Sequence, residues 1–145
     1  MTLEKAIERA RNQFANNGRF SLLPNESLNE VVSREKLPDA PGIYIIFPCD
    51  DLERPLYIGR AGTINTDGSW KGQKLRGRMT MKQGGMSRRK FFCRLMADRG
   101  LSGLTVLWFV THNQDNKILP AMAEIELLQA HYSQYGCLPA LNKCV

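Results

Sequence analysis

Near the start of the chain Leu3, Ile7, Ala10 and Phe14 recur at helical spacing, a pattern that predicts a helix with one apolar stripe. A second helix is expected from Ser27, where Glu30 three residues later makes a capping box ahead of Val31 and Val32. Pro38 and Pro41 then stop helical structure. Gly42-Ile-Tyr-Ile-Ile-Phe47 is β-branched and aromatic and predicts a strand, and Leu56-Tyr-Ile-Gly59 a second, short one. The polar stretch between them makes an antiparallel hairpin the economical reading. A hairpin symmetric about Asp50 and Asp51 would set Tyr44 opposite Tyr57.

Residues 61–72 hold Gly, Asn, Asp and Ser and read as a loop. A short helix is expected from about Gln73 to Gln83, with Leu75 and Met79 one turn apart, ending at Gly84-Gly85. Ser87 opens another helix whose apolar positions are Phe91, Phe92, Leu95 and Met96. Leu104 to Thr111 predicts a third strand. The longest helix runs from Leu119 to Tyr135 and is apolar on two sides, at Met122, Ile125, Leu128 and Tyr132 and at Ala123, Leu127 and Ala130, so it is expected between layers. Residues 139–145 read as an irregular tail, and no internal repeat is visible.

The chain has 145 residues and 43% hydrophobic content, which suits one globular domain rather than a disordered tail. No apolar run is long enough to span a bilayer, and the start lacks the basic and apolar regions of a secretory signal. Cys49, Cys93, Cys137 and Cys144 are widely spaced, with no Cys-x-x-Cys pair. Reduced thiols of a cytoplasmic protein are therefore expected, and no zinc-site spacing is present.

Charge changes the picture once it is divided along the chain. The formal net charge is +6, yet residues 68–97 contain nine basic side chains and no acidic one. Eleven basic and fourteen acidic residues remain elsewhere, a net of −3. One concentrated cationic stretch on a slightly acidic protein points to a polyanion such as nucleic acid. Lys74, Arg76, Lys82, Arg88, Arg89, Lys90 and Arg94 are the candidate backbone contacts. Arg88, Arg89 and Lys90 open a helix, where positive charge opposes the macrodipole, so they are expected to serve something besides helix stability.

Pro41-Gly42-Ile43-Tyr44 followed by Leu56-Tyr57-Ile58-Gly59-Arg60-Ala61 resembles the GIY-YIG nuclease superfamily, named for these two tripeptides. Later landmarks are similar too: Leu75-Arg76-Gly77-Arg78, Glu124-Ile125-Glu126-Leu127-Leu128 and Pro139-Ala140-Leu141-Asn142. The resemblance covers about residues 38–143. It divides the chain into a helical N-terminal extension over 1–37 and a nuclease-like domain over 38–145. The expected fold is α+β, a small three-stranded mixed sheet flanked by helices.

The resemblance implies metal-assisted hydrolysis of a DNA phosphodiester, with RNA left open. Tyr44 and Tyr57 would lie at the reaction centre, the first as the base. Arg60 matches a cationic position after the second tripeptide. Arg78 would stabilise the phosphate, with Arg76 its rival. Glu124 would hold one Mg²⁺ or Mn²⁺, and Asn142 would help to order the site, in residue terms as a backbone cap. Periodicity does not choose between Glu124 and Glu126; the family's spacing to Leu127-Leu128 chooses Glu124. Lys82 stands where many members have His or Tyr and is read as a phosphate contact.

The residue types suit that chemistry. Phosphoryl transfer needs an oriented nucleophile and cations facing the charge that develops on the phosphate. Arginine brings permanent charge and a bidentate fork. A lone carboxylate suits Mg²⁺, which keeps most of its waters. A carboxylate without a partner on an apolar helix is costly, so a cation or a metal is expected beside it. Tyrosine, with an ordinary pKa of ~10, is a poor base unless neighbouring Arg60, Arg78 and a metal lower it. A non-cleaving nucleic-acid-binding module of the same fold is the alternative. His112 and His131 match no motif and are read as surface or packed histidines. Gly59-Arg-Ala-Gly62 lacks the Lys-Ser/Thr of a nucleotide loop. With one domain, the chain leaves room for a homodimer or a partner subunit, with residues 1–37 the candidate for that contact.

Overall fold

A computed structural model describes residues 1–80, 82, 83 and 86–145, with backbone alone at 82, 83, 86 and 87. In chain order the elements are α1 (Leu3–Gln13), β1 (Asn17–Leu22), α2 (Leu28–Arg34), β2 (Gly42–Pro48), β3 (Tyr57–Ala61), β4 (Thr63–Ile64) and β5 (Trp70–Lys71). They continue with α3 (Leu75–Thr80), β6 (Lys82–Gln83), β7 (Met86–Ser87), α4 (Arg88–Arg99), β8 (Leu104–Val110) and α5 (Pro120–Tyr135).

The architecture is α+β. Its main sheet has four strands in the order β1-β8-β2-β3, and all three pairings are antiparallel. The expectation of a three-stranded mixed sheet is corrected on both counts. Strands β3 and β8 run the same way, but β2 lies between them, so each meets an antiparallel neighbour. The fourth strand, β1, lies within residues 1–37, expected as a helical extension, and pairs with β8 of the main sheet, which corrects that expectation. In β1 Phe20 and Leu22 are buried while Arg19 and Ser21 are exposed, the period-2 alternation of an edge strand with one covered face. Two small pairs, β4 with β5 and β6 with β7, stand apart from this sheet.

Every residue of β2 and β8 is buried, because helices cover both faces. On one face Phe20, Leu22, Tyr44, Ile46, Val106 and Trp108 meet α2, α3 and α4 through Leu28, Val31, Val32, Leu75, Met79, Phe92 and Met96. On the other, Ile43, Ile45, Phe47, Ile58, Leu107 and Phe109 meet α1 and α5 through Leu3, Ile7, Ala10, Ala123, Leu127 and Leu128. The sheet is therefore the middle layer, and α5 is an outer one. This corrects the placing of α5 between layers: Met122, Ile125 and Tyr132 are 57%, 49% and 55% exposed.

The first helix forms as expected, with the Thr2 hydroxyl accepting from Lys5 N at 3.2 Å and the apolar stripe turned inward. The Ser27 capping box does not form: the Ser27 side chain makes no cap hydrogen bond, and Glu26 instead accepts from Leu23 N at 2.9 Å. Helix α3 is shorter than expected because Lys82 and Gln83 pair with Ser87 and Met86 as strands. Its expected end at Gly84-Gly85 lies outside the described residues, as do the side chains of Lys82 and Ser87. The cysteines are free thiols. Among the described residues no helix is long and apolar enough to cross a membrane.

Candidate active site

Strand β3 is one edge of the sheet, and an edge is where side chains from the two faces can meet. Tyr44 and Tyr57 project on the face covered by α3 and α4, whereas Ile58 and Arg60 turn to the face covered by α5. The ladder pairs Tyr44 with Gly59 and Tyr57 with Ile46. The register is thus displaced by two residues from the symmetric hairpin expected above. A shift of two keeps both tyrosines on one face, where a shift of one would have separated them. They become diagonal neighbours with ring centroids 5.8 Å apart, inclined by 37°.

Gly59 makes that contact possible. A Cβ there would lie 2.4 Å from Tyr57 Cε2, 2.8 Å from Tyr44 Cζ and 2.9 Å from Tyr44 Oη. The glycine after Tyr57-Ile58 is the floor over which both rings lean.

An open cavity of about 490 Å³ adjoins these tyrosines and is lined also by Arg60, Arg78, Arg88, Glu124 and Asn142. Arg78 reaches it from α3, a helix held by the buried side chains of Leu75 and Met79 and by Leu75 N donating to Ala40 O at 3.1 Å. Its rival Arg76 is exposed and donates to Ser33 Oγ at 3.2 Å, away from the cavity. Glu124 enters from α5, and Arg60 Nη1 lies 3.3 Å from its Oε1. Of the cation or metal expected beside this carboxylate, the structure shows a cation, Arg60. Glu126 is exposed and does not line this cavity.

Asn142 does not line the cavity as a free side chain. Its Nδ2 donates to Ile58 O at 2.8 Å and its Oδ1 accepts from Ile58 N at 3.0 Å. One amide thus satisfies both outward backbone groups of the edge strand between Tyr57 and Gly59. This is a backbone cap that orders the site.

Arg88 is where the sequence reading and the structure part. The sequence groups it with the surface cations, but it is 5% exposed and its Nη2 donates to Tyr44 Oη at 3.2 Å. Its guanidinium also sits over the Phe92 ring, 5.7 Å from the centroid. The signal was available: 88, 92, 95 and 96 are the spacing of one helical face. Arg89, Lys90 and Arg94 are exposed on the other side of α4, and Lys74 is half-buried beside Leu75.

No family model, curated protein or solved structure matches the chain.

Electrostatics separates the ionisable groups. Tyr44 is 1% exposed, and burial pushes its pKa up to about 12, although Arg88 and then Arg78 oppose the rise. Without a metal, desolvating the phenolate outweighs the attraction of the neighbouring arginines, so those arginines alone do not make Tyr44 a usable base. Burial also raises the Glu124 pKa, with Arg60 and Arg78 pulling it down.

A buried tyrosine with a raised pKa has a measurable consequence. Between the unfolded pKa of ~10 and the folded one, the unfolded chain releases a proton that the folded chain retains, so stability falls as pH rises. From pH 9 to 11.5 wild type should lose about 2 kcal/mol more than Tyr44→Phe, as urea unfolding would measure. Equal losses in the two proteins would contradict the assignment.

Among the described residues no three His, Cys, Asp or Glu side chains converge as a metal cage. Glu124 is the one acidic side chain lining the cavity. Such a donor set fits a hard ion that keeps several waters and takes its other ligands from substrate oxygens. His131 is fully buried, its Nδ1 2.7 Å from Cys137 O, and His112 packs edge-on against Trp70 at 4.8 Å. Neither reaches the cavity.

Proposed function

We propose that this chain is a divalent-metal-dependent endonuclease of the GIY-YIG type that hydrolyses DNA phosphodiester bonds. The observation that carries the reading is the convergence of Tyr44, Tyr57, Arg60, Arg78 and Glu124, dispersed in sequence, on one open cavity. Three arginines against one glutamate leave that cavity with a surplus of positive charge, which suits a phosphate whose negative charge grows in the transition state.

In this reading Arg78 binds the non-bridging oxygens with its guanidinium fork, and the charge is permanent at any working pH. Tyr57, half-buried at the rim, orients the attacking water through its hydroxyl. Glu124 would hold one Mg²⁺ or Mn²⁺, which supplies charge neutralisation and a more acidic water when bound. Arg60 holds Glu124 in place and offsets its desolvation. Asn142 keeps β3 in register, so that Tyr57 and Arg60 leave the strand on opposite faces at fixed positions.

Incubation of supercoiled plasmid with Mg²⁺ or Mn²⁺ tests the proposal. Nicked and linear forms should accumulate, and EDTA should stop their formation. The second reading, a non-cleaving nucleic-acid-binding module, is favoured by one observation: Glu124 already has a cationic partner in Arg60. Salt-sensitive binding without cleavage of any DNA or RNA would select it.

Duplex binding should depend on the exposed cations of α4. Changing Arg89, Lys90 and Arg94 together to glutamine should weaken it and reduce the slope of log K against log salt by up to about 2.7, at about 0.9 per phosphate contact. An unaltered slope would show that this face of α4 points away from the nucleic acid.

A further inference from the structure

Arg88 carries a charge that its surroundings leave uncompensated. It is 5% exposed, and among the described residues no carboxylate lies within ion-pair distance of it. Its Nε is buried with no hydrogen-bond partner among the described residues. The one acidic side chain of the cavity, Glu124, is held by Arg60 instead. A buried guanidinium without an anion is costly, and arginine does not escape that cost by losing its proton. Its hydrogen bond to Tyr44 Oη reaches a neutral acceptor, and its contact with Phe92 is a weak cation–π interaction.

The direction of that hydrogen bond matters more than its length. A guanidinium only donates, so Tyr44 Oη is the acceptor and its own proton points elsewhere. Both residues line the cavity, and Gly59 lets the Tyr44 ring and hydroxyl pack close over β3. Donation by Arg88 also polarises the phenol and makes it a stronger donor in turn.

We propose that Arg88 and Tyr44 form a phosphate-binding pair, in which Tyr44 works as a neutral hydrogen-bond donor to a phosphate oxygen and Arg88 supplies the charge behind it. Arg88 is then a binding residue of the site and not part of the cationic surface of α4. The proton that Tyr44 retains at neutral pH agrees with this role. The proposal takes its ligand, a DNA phosphate, from the nuclease reading, but phosphate binding can be measured without metal or cleavage.

The test is calorimetric titration at fixed ionic strength in EDTA, with two probes: inorganic phosphate, and a DNA octanucleotide without a terminal phosphate. Wild type, Arg88→Gln, Arg88→Lys and Tyr44→Phe are compared, with Arg99→Gln at the exposed far end of α4 as control. Arg88→Gln should weaken binding about tenfold, Arg88→Lys less, and Tyr44→Phe about threefold to tenfold, while Arg99→Gln stays within twofold. Loss with both probes, or with the octanucleotide alone, supports the pair and separates a general phosphate site from a diester site. Binding by folded Arg88→Gln and Tyr44→Phe within twofold of wild type overturns it, as does wild type that binds neither probe. Should Arg88→Gln not fold, Tyr44→Phe, which keeps the ring and its packing, decides alone. Absence of plasmid cleavage would sink the nuclease reading and leave this result standing.

Discussion

Glu124→Gln should lower metal-dependent plasmid nicking by about a thousandfold, about 4 kcal/mol of lost transition-state stabilisation, while leaving the fold and DNA binding intact. The substitution keeps the shape of the side chain and removes the charge that would hold the ion. Glutamine can still accept from Arg60, so the packing of α5 on β3 survives. That ion pair is half-open to water on the Arg60 side, where the side chain is 48% exposed, so its loss should shift the unfolding midpoint little. Initial nicking rates across a Mg²⁺ series measure the effect. A variant as fast as wild type at any Mg²⁺ concentration would remove Glu124 from the mechanism. A variant that fails to fold would make it a structural residue.

Gly42→Ala is the substitution with the largest expected effect on stability. A Cβ at residue 42 would lie 2.1 Å from the backbone oxygen of Phe109 and 2.8 Å from Leu75 Cδ1. Neither can give way cheaply. Phe109 is in β8, and β2 is held on both sides, Gly42 pairing with Val110 on one and Ala61 on the other. Leu75 is fully buried and anchors α3, which carries Arg78. Overpacking of this kind costs about 3 kcal/mol, a large part of a typical stability of roughly 5–15 kcal/mol. Urea unfolding should show a lower midpoint with an unchanged slope, and a loss below about 0.5 kcal/mol would contradict the crowding. Any α3 displacement would also move Arg78, so residual folded protein should cleave slowly.

Much of this was readable in the residues before any geometry. The stripe of α1, the apolar runs of β2 and β8, and the anchors Leu75 and Met79 all announce themselves through spacing. That Glu124 and not Glu126 lines the cavity was suggested only by the resemblance, through the spacing to Leu127-Leu128, since both lie beside the same apolar stripe. Other features were written in the sequence but fell below what a pattern resolves. Phe20 and Leu22 alternate with polar residues over too short a span to distinguish an edge strand from a loop. Arg88 shares its helical face with Phe92, Leu95 and Met96, yet a charge inside a run of three cations reads as surface. The apolar residues of α5 outnumber what one face can bury, so periodicity suggested two covered sides where the fold covers one.

The residue types of the candidate site, the two tyrosine-bearing strands and the concentration of charge in residues 68–97 belong to the sequence alone, because composition and periods of 2 and 3.6 are local properties. Tertiary structure decided what distance and burial decide. It set the hairpin register that makes Tyr44 and Tyr57 diagonal neighbours over Gly59, and it paired Arg60 with Glu124 around a sheet edge. It put Arg78 in the cavity and Arg76 outside it, and it turned Arg88 inward onto Tyr44. It also set burial against the neighbouring arginines at Tyr44, and burial prevails, because desolvation depends on what surrounds a group in space, and the sequence lists only what precedes and follows it.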